Sequence, residues 1–125
     1  MLTLFLVANT ITVSNLDGSH VRTFFNASVG QDLRAVAVHP VKGYIYWTDW
    51  GTDPKIERSD LDGNNHMTIV NMSHVKWAAS ITVDNNLQRL YWTDFNKGQI
   101  CSCDLDGSNI QVIIDHLSSP CIDSV

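Results

Sequence analysis

The sequence predicts an all-β fold of repeated four-stranded antiparallel sheets, arranged as blades of a β-propeller. Three observations carry this. Tyr46-Trp47-Thr48-Asp49 returns 45 residues later as Tyr91-Trp92-Thr93-Asp94. Leu16-Asp17-Gly18, Leu61-Asp62-Gly63 and Leu105-Asp106-Gly107 follow nearly the same beat, with steps of 45 and 44 residues. No stretch of useful length has helical periodicity. Self-similarity at such a period marks a repeat architecture, and four hairpin-linked strands per repeat match a propeller blade.

The central repeat shows each element. Ala35-Val36-Ala37-Val38 reads as a short buried strand, ended by His39-Pro40 and turned by Lys42-Gly43. Tyr44 to Asp49 is a second strand, rich in aromatic and β-branched residues. Trp50 to Pro54 is a loop, and Lys55 to Asp60 is the third strand. Asp62-Gly63 signals a tight hairpin, because the pair accepts positive φ, and Met67 to Val70 closes the unit. The next repeat runs Ser80–Val83, Arg89–Asp94, Gln99–Asp104 and Gln111–Ile114, with one residue deleted after Asp94. An incomplete repeat precedes them, with strands at Leu4–Ala8, Ile11–Asn15 and Val21–Phe25, and Pro120 to Val125 begins another. The expected units are therefore an incomplete first blade at 1–32, a second at 33–77, a third at 78–116 and the start of a next one at 117–125.

Composition narrows the function. A net charge of −5, scattered through the repeats, argues against nucleic acid, which requires a basic surface. The apolar start, Met1 to Ala8, is too short to span a bilayer and lacks the basic leader of a signal peptide, so it is expected to be a buried strand. No anchor and no membrane contact are expected of this segment. Cys101, Cys103 and Cys121 form neither a zinc pattern nor an even disulfide set. Cys101 and Cys103, two apart on a strand, point the same way and are poorly placed to bond each other.

These residues resemble the YWTD propellers of the low-density-lipoprotein receptor family. The resemblance rests on both Tyr-Trp-Thr-Asp strands, the three Leu-Asp-Gly turns, Arg34 to Pro40, Trp47 to Gly51 and Pro54 to Arg58. The run Val13 to Gly18 is most similar to the Wnt co-receptor branch. The resemblance implies a partial six-bladed propeller of about two and a half blades, flanked by EGF-like modules in a single-pass receptor on the extracellular face of the plasma membrane. It implies secreted protein ligands (Wnt or Wnt-antagonist class, or lipoprotein and other endocytic ligands), no enzymatic activity and no cofactor. The chain departs from the pattern in holding fewer blades, as a fragment or truncated product would. Lys76 to Ser80 replaces the usual Trp-Pro-Asn-Gly, and Cys101-Ser102-Cys103 removes the arginine equivalent to Arg58.

Candidate residues fall into three groups. Tyr46, Trp47, Thr48, Asp49, Tyr91, Trp92, Thr93 and Asp94 are expected to be framework, the buried carboxylates hydrogen-bonded. Arg34, Trp50 and Trp77 lie in or beside loops at strand ends and are candidate ligand contacts, Arg and Trp being common interface anchors; the simpler reading makes Trp77 packing and Arg34 mere surface. Asn26-Ala27-Ser28 and Asn71-Met72-Ser73 are glycosylation acceptors 45 residues apart. The five histidines lack metal spacing and are expected at the surface. Asp60 to Asn64 lacks the glycine and glutamate positions of a calcium loop, so a hairpin turn explains it better. Two alternatives stand beside the receptor reading. One is a nidogen-like structural propeller of the basement membrane. The other is a metal-dependent propeller hydrolase, for which Ala35–Val38 and Ser80–Val83 offer no ligands.

Overall fold

The computed structural model describes residues 2–116; the expected next blade at 117–125, with Cys121, lies outside the described residues. Among the described residues, eleven strands form three antiparallel sheets. The first holds β1 (Leu2–Val7), β2 (Thr10–Asn15) and β3 (Arg22–Asn26). The second holds β4 (Leu33–His39), β5 (Tyr44–Asp49), β6 (Lys55–Asp60) and β7 (Met67–Val70) in that spatial order. The third repeats it with β8 (Ala78–Asp84), β9 (Arg89–Asp94), β10 (Gln99–Asp104) and β11 (Gln111–Ile114). By repeat position the first sheet supplies the second to fourth strands of a blade. This is a partial YWTD propeller, with β4 and β8 packed side by side as inner strands.

The inner strands are longer than the apolar runs suggest. β4 begins at Leu33 and β8 at Ala78, and in both the register with the next strand slips by one residue, at Arg34 and at Ala79. The extra residue is a β-bulge, which re-aims a side chain at a sheet end. Arg34 is the bulged, exposed residue of β4.

Alternation along the repeated tetrapeptide builds the core. Trp47 points back to the first sheet, where it meets Phe25 at 5.0 Å and Phe24 at 6.4 Å between ring centroids. Tyr46 points forward, and its hydroxyl donates to the Leu105 carbonyl in the third sheet at 2.8 Å. Ile11, Leu33, Ile45 and Trp47 form one buried cluster. Tyr46, Ile56, Val70, Val75, Leu90, Trp92, Cys101 and Cys103 belong to the other. Each cluster is the seam between neighbouring sheets, so the fold is held across sheets and not within one.

The Leu-Asp-Gly turns differ from the tight hairpin expected. Gly18, Gly63 and Gly107 have positive φ, and the aspartates do not. Each turn closes with a glycine N–H donating to the carbonyl three residues back, as Gly63 does to Asp60 at 2.9 Å. The aspartate accepts instead from the backbone two residues on: Asp17 from Ser19, Asp62 from Asn64 and Asp106 from Ser108. A second left-handed residue, His20, Asn65 or Asn109, then leads into the outer strand. Asp lost the expected φ because its side chain makes an Asx turn, which sets the loop without it. Hydrogen bonds from Ser19 and Ser108 hold Asp17 and Asp106 below the usual carboxylate range.

His39 also corrects the expectation. It is fully buried. Its Nδ1 accepts from the Lys42 N–H at 3.2 Å, which leaves the proton on Nε2, 3.1 Å from Gln88 Oε1 in the third sheet. At the place that Asp84 takes in the next repeat, this histidine bridges two sheets.

Candidate functional site

Asp49 and Asp94 end equivalent strands and organise the loops around them. Asp49 Oδ1 accepts from the N–H groups of Asp32 at 2.9 Å and Gly51 at 2.7 Å. Asp94 Oδ2 accepts from Lys76 N–H at 2.8 Å, and its Oδ1 accepts from Asn96 and Lys97 at 3.1 and 3.0 Å. Each carboxylate therefore ties the end of the second strand to the segment entering the first. Both are almost fully buried and satisfied by backbone donors, as a buried charge requires. Gly51 is needed for this closure: a Cβ there would meet the Gly30 carbonyl oxygen at 1.9 Å.

The loops held this way bring Arg34, Trp50 and Trp77 together. The Trp50 and Trp77 rings stack at 5.8 Å with 21° between planes. The Arg34 guanidinium lies 4.8 Å from the Trp50 ring centroid, a cation–π distance. Arg34 also pairs with Asp32 at 3.0 Å, and both side chains are about half exposed. Trp50 is fixed from below, its Nε1–H donating to the Ala78 carbonyl at 2.7 Å. The result is an array of Arg34, Trp50 and Trp77 crossing the junction of two sheets at one end of the molecule. Its edge is partly solvent-exposed, and the guanidinium retains donors for a ligand acceptor.

Two residues of this end escaped the sequence reading. Asp32 stands one repeat before Trp77, and its carbonyl accepts from Trp50 N–H as that of Trp77 accepts from Phe95 N–H. Phe95 follows Asp94 as Trp50 follows Asp49, and it is 56% exposed. Superposing the repeats position by position would have found both.

The framework positions diverge in chemistry. Trp47 Nε1–H donates to buried Glu57 at 2.8 Å, and His66 approaches the other Glu57 oxygen at 2.9 Å. Trp92 pairs across the ladder with Cys101 where Trp47 pairs with Glu57, and its buried indole nitrogen has no partner among the described residues. Arg58 donates to the Leu105 carbonyl at 2.9 Å and sits over the Tyr44 ring. Ser102 holds the place of Arg58, but Arg89, in the place of Tyr44, donates to Ser102 Oγ and Asp104. A guanidinium thus returns to the same region from the neighbouring strand. Hydrogen bonds from Asn109, then Arg89, keep the Asp104 carboxyl below its usual range. Among the described residues no group of three or more His, Cys, Asp or Glu side chains could hold a metal ion, and no helix is long and apolar enough to cross a membrane.

The geometry defines a class: repeated sheets locked by buried tetrapeptide strands, presenting aromatic and basic side chains at one end. Residues 43–85 match the low-density lipoprotein receptor repeat class B. Residues 43–85 thus carry that repeat, within a partial β-propeller fold. The chain is 37% identical over 82 residues to the vitellogenin receptor Yl of Drosophila melanogaster, covering 66% of this chain and 4% of that protein. It is 35% identical over 89 residues to the human low-density lipoprotein receptor-related protein 5-like protein, covering 69% of this chain and 35% of that one. It thus spans a minor part of these curated relatives. In structure it is similar to a chain of the nidogen/laminin complex, with a TM-score of 0.78 and 24% identity over 89% of this chain and 42% of the other. A gluconolactonase of Xanthomonas campestris shares the fold at a TM-score of 0.71 and 15% identity, over 91% of this chain and 37% of that one.

Proposed function

We propose that this segment binds secreted protein ligands on the outside of a cell, through the end that carries Arg34, Trp50 and Trp77. The observation that carries the reading is their convergence: residues 16 and 43 positions after Arg34 stack into one array with it. Framework side chains would be covered by packing; here a charged group and an aromatic edge stay at the surface, the composition of an interface anchor. Receptor relatives support an extracellular, non-enzymatic role. The ligand classes to try are Wnt proteins and their antagonists, from the resemblance of Val13 to Gly18 to the Wnt co-receptor branch, and lipoprotein cargo, in keeping with the vitellogenin receptor. A structural role like that of a matrix propeller is the second reading, favoured by the similarity to the nidogen/laminin complex.

The test is binding of the protein to immobilised Wnt-class, antagonist-class and lipoprotein ligands, with Arg34→Ala and Trp77→Ala beside the unaltered chain. The true ligand class should lose about tenfold or more in affinity, since an anchor's removal costs about 2 kcal/mol. Equal binding by the unaltered and substituted proteins to every ligand that binds would show that the face is not the interface.

A further inference from the structure

We propose that Asn26 and Asn71 carry N-linked glycans, and that these fence the outer rim of the end bearing Arg34, Trp50 and Trp77. The inference rests on the extracellular reading above, because the modification requires passage through the secretory route.

Only two asparagines of the chain stand in an Asn-X-Ser or Asn-X-Thr acceptor, and they take the same place in successive sheets. Asn26 ends β3 and Asn71 follows β7 directly. Both are exposed. Their amide nitrogens, the atoms that would be glycosylated, make no hydrogen bond among the described residues. By contrast Asn9, Asn65 and Asn109 use theirs to hold loops. At Asn71 the side-chain oxygen accepts from Ser73 N–H at 2.9 Å, folding the acceptor serine back beside the asparagine. At Asn26 the side-chain oxygen accepts from Thr10 Oγ1 at 3.0 Å. Asp115, just beyond β11, takes the corresponding place in the third sheet and is no acceptor. In the reaction the amide nitrogen bonds to the anomeric carbon of a lipid-pyrophosphate-linked oligosaccharide. The bond from that carbon to the pyrophosphate oxygen breaks, the lipid pyrophosphate leaves, and the amide gives up one proton.

Strand direction places the glycans relative to the site. Antiparallel pairing sets Asp49 opposite both Leu33 and Lys55, and Ile56 opposite Val70. Asn71 therefore emerges at the same end of the sheet as Arg34 and Trp50. It is three strands outward from β4, about 14 Å at the usual inter-strand spacing. A flexible oligosaccharide there covers the outer flank and the 71–77 segment leading inward to Trp77. A partner must then approach along the propeller axis and not over the rim.

The test uses the protein recovered from the secretory route of cells that make it. Treatment with peptide-N-glycosidase in oxygen-18 water, then peptide mass analysis, should show both asparagines converted to labelled aspartate. Trypsin should cut after exposed Lys76 several-fold faster in Asn71→Gln than in the glycosylated protein. Surface-exposed or secreted protein with both sites unmodified overturns the inference and leaves the extracellular reading intact. Occupied sites with equal cleavage at Lys76 overturn the fence. A protein found only in the cytosol overturns both readings.

Discussion

Single side chains divide the repeated motif into structure and surface. Asp49 is 2% exposed and accepts two backbone N–H bonds that no solvent can replace. Arg34, the bulged residue next to Leu33, the register partner of Asp49, is exposed, and its ion pair with Asp32 is of the kind worth under about 1 kcal/mol. Asp49→Ala should therefore cost about 3 kcal/mol of unfolding free energy, as expected for orphaning buried donors. Arg34→Ala should leave stability within about 1 kcal/mol while weakening ligand binding. Denaturant titration of both variants checks this, and a greater stability loss in Arg34→Ala would show the roles exchanged. The burial and hydrogen bonding of Asp49 were legible in the sequence, because an acid repeated at the end of an apolar strand must be hydrogen-bonded to be buried. The contact between Arg34 and Trp50 was not. It depends on a bulge that places Arg34 outside the regular alternation, and a bulge leaves no mark in apolar periodicity. Glu57 was hidden for another reason: its partners Trp47 and His66 lie on β5 and in the turn before β7, and its repeat counterpart is a cysteine.

At the scale of the turn, equivalent glycines have unequal duties. Gly63 and Gly107 share φ near 90° and the same place in their turns. A Cβ on Gly63 meets nothing within 4 Å, but on Gly107 it would lie 2.0 Å from the Ile69 carbonyl oxygen of the preceding sheet. Both alanine variants incur the left-handed cost of about 1 kcal/mol. Only Gly107→Ala also forces two sheets apart, so it should be destabilised by at least ~2 kcal/mol more. Thermal melting of the two variants side by side checks the difference, and equal shifts would mean that the third-sheet turn yields freely. The second to fourth strands of the two full repeats were readable to the residue, because the tetrapeptide and the Leu-Asp-Gly turn fix their phase; the inner strands run longer than their apolar runs. The different burial of two identical turns was not readable, since it arises from what each turn meets in its neighbour.

Across the whole molecule, the seam between the second and third sheets joins three acidic hydrogens in one apolar cluster. Tyr46, Cys101 and Cys103 all lie in it. Burial pushes Tyr46 up to about 12, Cys101 up to about 11 and Cys103 up to about 12. Each acid is thus weaker in the folded chain than in the unfolded one, so folding favours the neutral forms. Their stabilising share is fully present below the ordinary thiol range and is lost as pH rises through the folded values. The seam should therefore weaken progressively above about pH 9, the thiols acting first because their unfolded values are lower than that of tyrosine. Urea midpoints measured at pH 7, 9 and 10.5 should fall along this series, and Cys103→Ala should flatten the fall even if it lowers the starting midpoint. In the same way iodoacetamide at pH 8 should label Cys101 and Cys103 slowly in the folded chain and rapidly in urea, since only the thiolate reacts. Rapid labelling without denaturant, or a midpoint independent of pH over this range, would mean that the seam opens on its own and that the sheets are not held together by this cluster.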